Sequence, residues 1–125
     1  MAAFVFSPDF DHVFLESMYD NDMEYAGEVF SGFLTETRRE FETLTASYSN
    51  GNITGFRQVL HKIKPTFSFV GLTGLTEKCE ELISLCGKIT EMTAAEPLWT
   101  GLSGDIVKSF ELVEKELIRM KKHTS

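Results

Sequence analysis

Apolar residues recur at spacings of three and four through four separate stretches of this chain. That repeat restricts it to amphipathic helices packed side by side. In residues 22–48 the stripe is Ala26, Phe30, Phe33, Thr37, Phe41, Leu44 and Tyr48, and in the next stretch it is Ile53, Phe56, Leu60, Ile63, Phe67 and Val70. Leu75, Cys79, Leu82, Cys86 and Ile89 form the third stripe, and Ile106, Phe110, Val113, Leu117 and Met120 the fourth. No stretch alternates with period two, so strands are not expected.

Ser49-Asn50-Gly51-Asn52 and Gly71-Leu72-Thr73-Gly74 are dense in turn formers, and connections this short make neighbouring helices antiparallel. Thr73 or Thr76 is the candidate cap of the helix after Gly71, and Lys88 falls in its expected last turn, where a cation suits the negative helix end. Ahead of the long helices, Ser7-Pro8-Asp9 supplies a cap and a first-turn proline. Val13, Phe14 and Met18 follow in a short helix ending near Tyr19. Asp20-Asn21-Asp22 then punctuates the chain and can cap the long helix behind it. Residues 90–104 mix Thr, Ala, Pro and Gly around Leu98 and Trp99 and read as a longer connection with room for a helical turn, the last helix starting at about Leu102 or Ser103. The expected fold is all-α: an antiparallel up-down-up-down four-helix bundle with a short additional N-terminal helix, one domain over residues 1–125.

Composition narrows the function. A net charge of −7 lacks the clustered Lys and Arg that nucleic acid requires. The apolar runs are far short of the roughly 20 residues that span a bilayer, and the N-terminal MAAFVFSPDF has no basic n-region, so a cytoplasmic protein is expected. Cys79 and Cys86 stand seven residues apart on one helix, about 10.5 Å, beyond disulfide reach, and are read as small core residues. No Glu-x-x-His pair, zinc spacing, P-loop or Gly-x-Gly-x-x-Gly occurs, so neither a metal nor a cofactor is expected.

One polar residue stands out by position. At 100° per residue, His61 falls roughly 130° from the centre of its helix's apolar stripe and faces water. Its neighbours one turn away are Arg57, Gln58, Lys64 and Pro65. Arg57 and Lys64 lie on one flank, so an anion on the ring would have cations within reach; position alone favours an ordinary surface histidine. The stripe runs unbroken through Pro65, which predicts a helix that continues, kinked, past the proline. Pro65 has no N–H for the His61 carbonyl, which is expected to be left to water or a partner. Phe69 falls roughly 150° from the core centre; it either joins an apolar docking patch beside Pro65 or folds onto the helix end.

Leu60-His61-Lys62-Ile63-Lys64, with Gly71-Leu72 ten residues beyond the histidine and Gly51-Asn52 and Phe56 before it, resembles the signature of histidine-containing phosphotransfer (HPt) domains. The likeness in helix order and apolar spacing extends over residues 25–120. The resemblance implies that His61 is the phospho-acceptor of a phosphorelay, taking the phosphoryl group from a receiver-domain aspartate and passing it to another receiver. It also implies that Lys64 orients the group and offsets its charge. Arg57, Gln58, Pro65, Ser68 and Phe69 would form the docking surface. Two positions depart from the pattern, Pro65 for the usual Gly and Ser68 for a Gly or Ala. The implied protein is a monomeric phosphocarrier without ATP-dependent kinase activity, with magnesium only in the partner receiver. Its partners would be response-regulator receivers and, further, a hybrid sensor histidine kinase. A docking module that binds such domains without transfer is the alternative, and a homodimeric structural bundle, marked by an exposed apolar stripe on the last helix, is a third.

Overall fold

The computed structural model describes residues 3–124, and every regular element among them is helical. Helix α1 spans His12–Tyr19, α2 Met23–Gly32, α3 Arg38–Ser49, α4 Ile53–Phe69, α5 Thr73–Cys86 and α6 Glu96–Thr124. A five-residue π turn, Phe33–Thr37, joins α2 to α3 with right-handed helical angles on both sides, so the two form one continuous rod. A 3-10 turn, Met92–Ala95, leads into α6.

Side-chain caps set three of the starts. Asp11 accepts from Phe14 N at 3.2 Å, Asp22 from Tyr25 N at 3.1 Å and Asn52 from Gly55 N at 2.9 Å, each cap typically contributing about 1 kcal/mol. The turn between α4 and α5 depends on Gly71, which has φ of 75° and on which a Cβ would stand 2.6 Å from Leu15 Cδ1. Both the left-handed backbone and the close approach of α1 require glycine there.

Contacts between the rods identify neighbours and directions. From Ser68–Thr76 to Lys64–Glu80, four residues back on α4 match four residues forward on α5. Thr37–Thr66 and Glu40–Lys62 show the same opposition between α4 and the rod before it. α6 lies against α2 at Leu117 beside Gly27 and against α3 at Trp99 beside Phe41, and it meets α5 at the Lys78–Asp105 ion pair. The four rods enclose one core in which Phe30, Phe56, Leu60, Phe67 and Ile106 are fully buried, each such side chain contributing about 1.5–3 kcal/mol of transfer free energy before conformational entropy is set against it. Ring contacts link this core from end to end: Phe67 to Phe33, Phe33 to Phe110, Phe110 to Phe41, and Phe41 to Trp99, which Tyr48 and Phe56 also touch.

Four expectations are corrected. The last helix starts at Glu96, not at residue 102 or 103; Trp99 is buried against Tyr48, with ring centroids 5.4 Å apart, and against Phe56 at 5.2 Å. That aromatic burial outweighs the roughly 1 kcal/mol cost of each glycine, Gly101 and Gly104, in the helix interior. α5 stops at Cys86 with Gly87 as its cap, so Lys88 lies beyond the helix. Neither threonine caps α5: Thr73 Oγ1 donates to Asp11 and Thr76 bonds Ser68. α1 begins at His12 and buries Leu15 and Tyr19, leaving Val13, Phe14 and Met18 exposed.

The segment before α1 has no regular structure yet buries Phe4, Phe6 and Phe10. Phe6 and Phe10 lie against Phe30. The buried Glu116 carboxylate accepts from Ser7 N at 2.7 Å and pairs with Arg119, which also donates to the Val5 carbonyl and covers the Phe4 ring. These contacts strap the segment onto α6.

Candidate functional site around His61

The outer face of α4 is what remains after Phe56, Leu60, Ile63 and Phe67 turn inward. His61 stands on it exposed and, among the described residues, without a hydrogen bond, ion pair or ring contact. The other two histidines are occupied: His12 Nδ1 lies 3.6 Å from Glu16, and the His123 ring packs edge-on against Phe4 at 5.4 Å.

Lysines bracket His61 on both sides, and each is held by a carboxylate of the neighbouring rod. Lys62 Nζ lies 2.9 Å from Glu40 Oε1 on α3, and Lys64 Nζ lies 2.9 Å from Glu80 Oε1 on α5. The two pairs are opposite in exposure. In the α3 pair the lysine is 68% exposed and Glu40 24%, whereas in the α5 pair Lys64 is 27% exposed and Glu80 62%. On the α5 side, therefore, the cation is anchored and its carboxylate is the loose partner.

Arg57 also reaches toward α5, where a Cβ on Gly87 would stand 3.7 Å from its Nη2; Arg57 and Lys64 thus share a flank of His61. Gln58 and Pro65 are exposed, and α4 runs unbroken through the proline from Ile53 to Phe69. Ser68 is half-buried, its hydroxyl 2.7 Å from that of Thr76, so it faces the α4–α5 seam. Phe69 is 44% exposed and rims a groove with Val29, Gly32 and Phe33, while its carbonyl accepts from Tyr19 Oη at 2.6 Å. The π turn meets α4 just past the proline, where Thr37 Oγ1 donates to Thr66 Oγ1 at 3.1 Å.

Glu40 and Glu80 were not singled out by the sequence. Neither is near His61 along the chain, although antiparallel register about the short turn at Gly71 brings Glu80 opposite Lys64. Among the described residues no group of His, Cys, Asp and Glu is arranged to hold a metal ion, and no helix is long and apolar enough to cross a membrane.

The family model for the Hpt domain matches residues 28–122, from within α2 to near the end of α6. The chain is a member of the Hpt domain family. No curated protein and no solved structure matches it. Hpt domains are phosphocarriers of two-component phosphorelays, not kinases, and they interact with receiver domains and kinases. In this Hpt domain the matched region takes in α3, α4 and α5 whole and part of α2 and α6, while the strap and α1 precede it.

Proposed function

We propose that this Hpt domain carries a phosphoryl group on His61 between receiver domains. The observation that supports it most directly is the exposed, unpartnered imidazole of His61 between Lys62 and Lys64 on the outer face of α4. A neutral ring nitrogen there would attack the phosphorus of a receiver's aspartyl phosphate. The N–P bond forms as the P–O bond to the carboxyl breaks, and the electron pair leaves with the carboxylate. Transfer to a second receiver reverses the step, with that receiver's aspartate as nucleophile. Lys64 and Arg57 would orient the dianionic group once it is on the ring and offset its charge, while most of the electrostatic stabilisation of the loose transition state would come from the receiver. The magnesium belongs to the receiver. Gln58, Pro65, Ser68 and Phe69 would form the docking surface around the ring.

Incubation with a phosphorylated receiver tests the reading. Wild-type protein gains acid-labile, base-stable phosphate and His61→Gln gains none; label retained by His61→Gln, or absent from the wild type, would overturn it. A second reading, docking without transfer, rests on the exposed Pro65 ring one turn from His61, where it narrows access for a receiver loop. A receiver that binds and passes no phosphate is its signature. The exposed apolar residues of α6 do not join into the stripe that a homodimeric bundle would need: Leu98 lies about half a turn round the helix from Val107, and Val107 and Ile118 are separated by exposed Glu111 and Glu114.

A further inference from the structure

Resting on the assignment of His61 as acceptor, we propose that Glu80 is a positioning residue which holds Lys64 while His61 is unmodified and yields it when a phosphoryl group is present. The Lys64–Glu80 pair is closed at 2.9 Å, and Lys64 follows His61 by three residues on the same helix face. A dianionic phosphoryl group on the ring therefore competes with a single carboxylate for an ammonium already in place.

Exposure says which partner moves. Lys64 is 27% exposed and Glu80 62%, so release of Glu80 into water costs little, as is usual for an exposed ion pair. The α3 side is built the other way, with Glu40 the more buried member and Lys62 out in solvent. Lys64 is thus the cation kept in place, and Glu80 sets how much of its charge the phosphoryl group obtains. Removing that carboxylate leaves Lys64 fully available and stabilises phospho-His61. Hydrolysis proceeds through a loose, metaphosphate-like state in which negative charge withdraws from the phosphoryl oxygens toward the departing ring nitrogen, so a cation held beside those oxygens favours the bound dianion and slows the loss.

Phosphoramidate provides a test that needs no receiver. A ring nitrogen attacks its phosphorus, and its own N–P bond breaks, nitrogen leaving as ammonia with the proton that the ring gives up. Hydrolysis then forms a bond from water oxygen to phosphorus as the His61 N–P bond breaks, the electron pair and a proton returning to the ring and inorganic phosphate leaving. The expected result is a phospho-His61 half-life roughly two- to fivefold longer in Glu80→Gln than in wild type. Glu80→Asp should retain most of the wild-type behaviour, the gain should shrink at high salt, and Lys64→Met should shorten the half-life.

The decisive comparison is the double variant. Glu80→Gln has no effect in the Lys64→Met background if it acts through Lys64. An equal gain there means that Glu80 merely repels phosphate and overturns the proposal, as does an unchanged half-life in Glu80→Gln alone. Absence of receiver transfer, with the Glu80–Lys64 coupling intact on chemically labelled protein, would count against the phosphorelay reading and leave this one standing. Failure of phosphoramidate to label His61 overturns both.

Discussion

Burial on α5 pushes the Cys79 thiol up to about 12 from an ordinary 9.0, and the nearby Lys64 ammonium only partly opposes that rise. Tyr19, the buried last residue of α1, is likewise pushed up to about 12 from 10.0 by its burial and, second, by neighbouring Tyr25. The unfolded chain releases these protons near the ordinary values, whereas the folded chain keeps them to about 12. Above pH 9 the unfolded state therefore binds fewer protons and stability falls as pH rises; below pH 9 these groups add no slope. Urea denaturation should show a decline of at most about 1.4 kcal/mol per pH unit for each group, from pH 9 to 12 for Cys79 and from pH 10 to 12 for Tyr19. Cys79→Ala should make it shallower, and an unchanged slope would refute the assignment. At this scale the outward direction of His61 was legible, because helical angles follow from residue number alone. What holds Lys64 was not, because Glu80 reaches it from another helix.

Among the elements, α4 departs most from local preference. A proline inside a regular helix removes one backbone hydrogen bond and crowds the carbonyl four residues back, at a cost of about 3 kcal/mol. α4 nevertheless continues one turn beyond Pro65, held by buried Phe67, by the Thr37–Thr66 contact and by the Ser68–Thr76 hydroxyl pair. Pro65→Ala is expected to raise stability by about 1–3 kcal/mol in urea denaturation, and Pro65→Gly by about 1 kcal/mol less. Equal or lower stability for both would show that the ring itself contributes packing. The continuation of α4 was readable from the stripe through Phe67. The early start of α6 was not, since Pro97, Gly101 and Gly104 look like a loop until Trp99 finds Tyr48 and Phe56. The π turn gave no signal either, as Phe33 and Thr37 keep ordinary helical spacing.

For the molecule as a whole, the strap is closed by one buried acid. Glu116 is 2% exposed, bonded to Ser7 N and paired with Arg119. Glu116→Ala leaves that amide unpaired and releases Arg119 from its carboxylate. It is expected to destabilise the fold by about 1–3 kcal/mol and to speed amide exchange in residues 4–10; native exchange there would show that the strap is held by its three phenylalanines alone. By itself the sequence determined the helical class, the four stripes, the turns at Gly51 and Gly71, and the outer placement of His61, because periodicity and turn chemistry act over a few neighbouring residues. Only the tertiary structure decided the strap, the true length of α6 and the carboxylates holding Lys62 and Lys64. Each of these depends on groups far apart in the chain, which meet only when the rods pack.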